Sequence, residues 1–190
     1  VSVFEKLGDR RLTSLRERMS PKDSAEAFTE VMTGAKLDAP VTPRELMAIV
    51  GSREISERVR ARGHRLVLVG IGAPGLASFI AHRKLRDAGH SVDLVMGGGW
   101  LGFTPQLGDP TLGNTANIRT CTSLADVVMA YDVWVGGIGA NSLAVLGTGQ
   151  IDRVGNMNST MIPEDRTFLV GDGGGHDAVS CADETMVIVL

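Results

Sequence analysis

Leu66-Val67-Leu68-Val69 reads as a short buried strand, and it runs into Gly70-Ile71-Gly72-Ala73-Pro74-Gly75, a GxGxxG pattern that opens a helix. Glycines at this junction let main-chain N–H groups face an anion, helped by the partial positive charge of the helix N-terminus. One anion that fits is the pyrophosphate of a dinucleotide. That reading asks for an acid at the end of the next strand to hold the ribose hydroxyls. The next strand ends instead at Val95-Met96-Gly97, and Pro74 removes an amide from the cradle. The other anion is the oxygen of a polarised carbonyl, with the amides of Gly72 and Ala73 as an oxyanion hole. A third reading is packing alone, the glycines only letting the helix lie close to the strand.

Two further stretches could serve the same chemistry. Gly97-Gly98-Gly99-Trp100 follows the second strand; three glycines open volume and let a ligand approach the main chain, and Trp100 can wall the pocket or simply pack in the core. Gly171-Asp172-Gly173-Gly174-Gly175-His176-Asp177 follows a later apolar segment. His176 there is a candidate proton donor or base, or else a solvent-exposed loop histidine. Cys121 is read as a buried structural thiol, although a helix after it would lower its pKa. His64, His82 and His90 sit beside arginines or at helix ends and are read as structural. No His, Cys, Asp or Glu group has ligand spacing, so no metal is expected.

Gln150-Ile151-Asp152-Arg153-Val154-Gly155-Asn156-Met157-Asn158 carries strong turn chemistry in Gly155-Asn156. Asp152 and Arg153 are expected to pair across the turn, and Asn158 to bridge main-chain groups. This stretch matches the pattern QIDRxGNxN at every fixed position. With the GxGxP loop and the late glycine run, it resembles the family I coenzyme A transferases, specifically the beta-type subunit of the glutaconate-CoA-transferase-like group, over roughly residues 42–190. The resemblance implies an α/β CoA-transferase fold and an active site shared with an alpha-type subunit. It implies coenzyme A as part of the substrate, with no permanently bound cofactor. Gly171, Asp172, Gly173, Gly174 and Gly175 fall where the family's loop approaches CoA, Asp172 replacing a small polar residue. The family's attacking glutamate falls on Gly97, which has no nucleophile. The resemblance therefore points to non-transfer chemistry on an acyl-CoA thioester: decarboxylation, hydrolysis or C–C cleavage, each developing charge on the thioester oxygen. Two alternatives stay open: true CoA transfer with a carboxylate from the partner subunit, and a Rossmann-like nucleotide-binding module.

These residues need elements to place them. Thr42-Pro43-Arg44-Glu45 is a capping box that starts a helix ending near Gly63, with Leu46, Ile49, Val50, Ile55 and Val59 as its apolar positions. Helix Pro74 to Asp87 and strand Ser91 to Met96 follow Leu66–Val69, an order that argues a parallel unit with a right-handed crossover. Another helix is expected from Ser123 to Ala130, and strands near Ala144–Leu146, Thr167–Val170 and Met186–Leu190. The sum is an open, mainly parallel α/β sheet with helices on both faces over residues 41–190. Residues 1–40 are expected to be a helical N-terminal extension. The apolar Val187-Ile188-Val189-Leu190 end calls for a covering partner or for residues that once followed.

Composition sets limits. A chain of 190 residues makes about one such domain. A net charge of −3 disfavours nucleic acid and acidic membrane surfaces as partners. The longest apolar run, Leu66 to Ala81, is broken by Gly70, Gly72, Pro74 and Gly75 and is too short to span a bilayer. With two unpaired-looking cysteines and no leader pattern at the start, the expected location is the cytoplasm.

Overall fold

The computed structural model describes residues 40–105, 115–164, 166–171 and 173–189. The expected helical extension over residues 1–40 lies outside these but for its last residue, as does Asp172.

Helix α1 spans Pro43–Arg62. Thr42 and Glu45 form the expected reciprocal cap, Pro43 supplies a preset φ at the first turn, and Gly63 ends the helix with φ 68°. Strand β1 (Leu66–Val69), helix α2 (Ala73–Asp87) and strand β2 (Asp93–Met96) then make the parallel unit. Strands β3 (Trp100–Leu101) and β4 (Ser123–Leu124) extend the sheet antiparallel beyond β2. A 3₁₀ turn, Thr115–Thr120, precedes β4, and a π-helix, Met129–Val135, follows it. Strand β5 (Ser142–Leu146) returns to the other side of β1. Two hairpins follow, β6 (Gln150–Ile151) with β7 (Met157–Asn158) and β8 (Met161–Ile162) with β9 (Thr167–Phe168). Helix α3 (Gly175–Cys181) and strand β10 (Glu184–Val187) complete the described chain.

Strand order in the main sheet is β10-β5-β1-β2-β3-β4, with β10, β5, β1 and β2 parallel. Alternation along the strands sends side chains to two cores. Val67, Val69, Leu94 and Met96 join Ile55, Ala77, Ala81 and Leu85 under α1 and α2. Leu68, Val95, Ala144 and Leu146 pack against Ala130, Val135 and Ala178 from the π-helix and α3. The expected open sheet covered on both faces is therefore observed.

Several local expectations are corrected. On α1, Leu46 and Val50 are exposed, while Ala48, Gly51, Ser52 and Ser56 are buried. Small residues win because α1 lies tight on its neighbours: a Cβ at Gly51 would stand 2.7 Å from Ile188 Cδ1 and 3.2 Å from Ala77 Cβ. Close helix packing selects absence of volume, which a search for large apolar residues passes over. The Ser123–Ala130 helix is replaced by β4 and then the π-helix, whose amide at Met129 donates to Asp126 Oδ1 at 2.8 Å. The apolar 167–170 segment forms part of the β8–β9 hairpin, outside the main sheet. No helix among the described residues is long and apolar enough to cross a membrane.

Candidate active site

β1 has β2 on one side and β5 on the other, so the connections leaving β1 and returning at β5 diverge at its carboxyl end. Such a switch point leaves a crevice that α/β sheets use for ligands. The Gly70–Ala73 loop lies there. Gly70 seats itself by donating its N–H to Val145 O at 2.8 Å, and Pro74 packs beside it. Gly72 stands as the N-cap of α2 with φ 77° and ψ −132°, a conformation that L side chains resist. Nothing lies within 4 Å of where its Cβ would be. No acceptor among the described residues takes the Gly72 or Ala73 amide. Two donors thus stand free at an open position.

Gly97, Gly98 and Gly99 form the turn between β2 and β3, closed by Gly99 N to Met96 O at 2.9 Å. They differ in what surrounds them. Gly99 has φ 92° and lies against the Ala125 carbonyl, so the glycine allows two main chains to touch. Gly98 faces open space. Position 97 points to the same face as Val95, toward the π-helix, where a Cβ would strike the Tyr131 hydroxyl and stand 2.9 Å from Cζ. Volume beside the turn is thus partly occupied by a phenol. Trp100 turns to the opposite core, packing edge-on against Phe103 with ring centroids 6.5 Å apart.

Tyr131 also touches the late glycine run: a Cβ at Gly174 would meet the same hydroxyl, with Cζ at 2.5 Å. The π-helix that carries it is fixed at both ends. Asp126 caps its start, and the Ser142 hydroxyl donates to Val135 O at 2.8 Å at its end. Gly136 N returns to Tyr131 O at 2.8 Å, the five-residue step that defines this helix type. π-Segments are uncommon and gather at functional sites, because the extra residue rotates side chains out of helical register. Burial, and then the nearby charges of Asp177 and Cys181, push the phenol's pKa up, so it is protonated at neutral pH. Sequence reading misses Tyr131. It is the sole tyrosine of the chain, but no motif surrounds it, and its placement depends on a helix irregularity.

The structure places the remaining candidates as follows. Gly171 has φ 90° and its amide donates to Ser159 O at 3.0 Å; Gly173 has φ 54° with no neighbour near its Cβ position. Gly175 begins α3. The His176 side chain is 80% exposed, its Nδ1 4.0 Å from Asp177 Oδ1, and no contact brings it to the Gly97 turn. Cys121 donates weakly to Asn117 O at 3.5 Å, and burial raises its pKa, as suits a structural thiol. Among the described residues no group of three or more His, Cys, Asp or Glu could hold a metal ion.

Gln150 to Asn158 forms the β6–β7 hairpin, which lines a shallow open groove. Asp152 does not pair with Arg153 as expected. Its carboxylate accepts the Val154 and Asn156 amides at 2.9 Å each and Asn156 Nδ2 at 2.7 Å. Main-chain donors inside a tight turn are already in place, whereas an arginine head would need ordering. Asn158 does bridge: Nδ2 donates to Gln150 Oε1 and to Met161 O, each at 2.8 Å, and Oδ1 accepts Thr160 N at 3.1 Å. The stretch spends its polar groups on its own architecture. Asn156, first by its side chain and then by its amide, holds the Asp152 carboxyl below the usual range. A lowered folded-state pKa stabilises above the unfolded value and loses that effect as pH falls through the folded one. Asp152→Ala, compared with wild type at one neutral pH, is therefore expected to speed hydrogen exchange at Val154 and Asn156. The exchange of β1 and β5 should stay unchanged.

This two-faced sheet, with its glycine turns gathered along the carboxyl edge, has the fold of the coenzyme A transferases. Glutaconate coenzyme A-transferase from Acidaminococcus fermentans matches with a TM-score of 0.62 at 21% identity, over 77% of this chain and 56% of that one. The decarboxylase AibA/AibB matches at 0.57 and 17% identity, over 78% and 59%. The acyl-CoA transferase YdiF of Escherichia coli O157:H7 matches at 0.52 and 21% identity, over 81% and 25%. In sequence, the chain is 26% identical over 148 residues to a 3-oxoadipate CoA-transferase subunit from Pseudomonas knackmussii, 76% of this chain and 53% of that protein. It thus spans about half the length of that relative. No protein-family model matches it. The chain thus has the CoA-transferase fold and is similar in sequence to a CoA-transferase subunit.

Proposed function

We propose that this chain is the beta-type half of a heteromeric, cytoplasmic enzyme that acts on an acyl-CoA thioester without transferring the CoA. The observation that carries this reading is the pair of free amides at Gly72 and Ala73, open at the switch point, with the turn that leaves the neighbouring strand β2 bearing no side chain at position 97. Two fixed N–H donors stabilise an oxyanion by roughly 3–4 kcal/mol per donor when water is excluded. Without an attacking carboxylate, the chemistry they serve develops negative charge on the thioester oxygen: decarboxylation or C–C cleavage through a thioester enolate, or hydrolysis through the tetrahedral oxyanion that water forms before CoA thiolate leaves. The Gly97–Gly99 turn borders the acyl end, Trp100 supporting it from the opposite core, and Gly171–Gly175, with Asp172, pass along the CoA chain. His176 lies at the end of that loop and is a candidate proton carrier. An alpha-type subunit closes the site. The decarboxylase AibA/AibB, alike in fold, makes non-transfer chemistry on this scaffold a concrete precedent.

The test is to purify the chain with a co-expressed alpha-type subunit and supply glutaconyl-CoA. CO₂ release, free thiol and CoA transfer to acetate are followed together. Release of CO₂ or thiol, with negligible transfer, is the expected outcome. Efficient transfer, abolished by changing a glutamate in the partner, would replace this reading with ordinary CoA transfer.

A further inference from the structure

An enolate must regain a proton, and the glycine turns provide none. The titratable atom that touches the β2–β3 turn is the Tyr131 hydroxyl, held between Gly97 and Gly174. Its position is over-determined. The π-helix is capped at Asp126, tied to β5 through Ser142, and packed by buried Ala130 and Val135. Among the described residues the hydroxyl has no hydrogen-bond partner, and it is not one of the fully buried polar atoms left without one, so the half-buried tyrosine keeps its hydroxyl reachable. A phenol aimed at an open glycine turn, and bonded to nothing, is placed for something that arrives.

The two glycines and the tyrosine form one feature. Any side chain at 97 would occupy the hydroxyl's space, and so would any side chain at 174. Gly97 is thus a berth for the phenol as well as the loss of an attacking group. The His176 ring, 80% exposed, has no such seat.

We propose that Tyr131 is the proton donor of the site, returning a proton to the carbon of the thioester enolate. This rests on the acyl-CoA reading above. In a decarboxylation the bond between the acyl chain and its carboxylate breaks, CO₂ leaves, and the electron pair moves onto the thioester oxygen. The pair returns to carbon as that carbon takes the Tyr131 proton. Water reprotonates the phenolate, leaving hydroxide. The sum is carboxylate plus water giving CO₂, a new C–H bond and hydroxide, with no external oxidant or reductant.

One tyrosine in the chain makes the test clean. The full chain, with its partner subunit, is labelled with ζ-¹³C tyrosine and titrated with malonyl-CoA; an unlabelled partner keeps the single resonance. The Tyr131 signal is expected to shift on binding. Tyr131→Phe, which keeps the ring, is expected to bind malonyl-CoA within about 3-fold of wild type yet release CO₂ about 100-fold more slowly, the scale of a lost general acid. Gly97→Ala, which displaces the hydroxyl, should lower kcat similarly; it stands in if Tyr131→Phe fails to fold. If wild type binds malonyl-CoA without turnover, the resonance decides alone: a shift supports the proposal and a still signal overturns it. Undiminished turnover in Tyr131→Phe, with binding intact, overturns the proton donor and leaves the thioester reading standing. Failure of wild type to bind malonyl-CoA or glutaconyl-CoA overturns both.

Discussion

Gly70→Ala destabilises this fold by about 3 kcal/mol, at the upper end of what forced overpacking costs. A chain of this length should then melt roughly 6–12 °C lower. Backbone strain is not the cause, since Gly70 does not have a positive φ. The added methyl would press on the Val145 carbonyl oxygen and stand 3.1 Å from Leu146 Cα. Both are main-chain atoms of the central strand β5, and neither can rotate away. The carbonyl it strikes also accepts the Gly70 amide, so the clash and the lost hydrogen bond fall on one atom. Gly72→Ala is the contrast. Its Cβ meets open space, so only its φ of 77° resists, at about 1–3 kcal/mol. Thermal melts of the two variants test the ordering; equal melting points would show that β5 yields to the methyl.

Glu184→Ala is expected to cost about 1–3 kcal/mol, the scale of leaving a buried polar group without its partner. The Glu184 side chain is 12% exposed and holds three partners: Arg58, Arg62 at 3.3 Å and His64 Nε2 at 2.9 Å. Removing it leaves the 3% exposed His64 ring with no partner on Nε2, when Nδ1 already has none. Burial pushes the Glu184 carboxyl up, but the bonds from His64 and Arg58 and the arginine charges outweigh it, and the net displacement is downward. With the folded-state value lowered, the stabilisation is full above the unfolded pKa and fades as pH falls through the folded one. Urea midpoints of wild type and Glu184→Ala should therefore differ most near pH 7 and converge below about pH 4, around the ordinary carboxylate value. A constant gap across that range would assign the loss to packing instead of charge.

The parallel unit is legible in the sequence because its signals are local. Alternation-free apolar runs at 66–69 and 94–96, the Thr42–Glu45 capping box and the glycine loop each announce themselves within a short window. The switch-point loop is legible for the same reason. Strands β3 and β4 are not, since two residues each cannot show a period. The π-helix reads as an ordinary helix starting too early, because its extra residue is imposed by Ser142 and by contacts from α3, both distant in sequence. Tyr131 is lost with it. The Arg153 pairing fails because adjacency in sequence is not geometry, and Asp152 has closer donors in its own turn.

The amino rim of the sheet carries the clasps: Glu184 on His64, Asp183 on the Ser142 amide, and Asn141 on the last carbonyls of α1. The carboxyl rim carries bare turns. A lineage descending from such a chain can exchange one reaction for another by rewriting a few turn positions, while the opposite rim goes on specifying the same architecture. Divergent catalysts on an unchanged frame are what this division of labour makes easy to evolve.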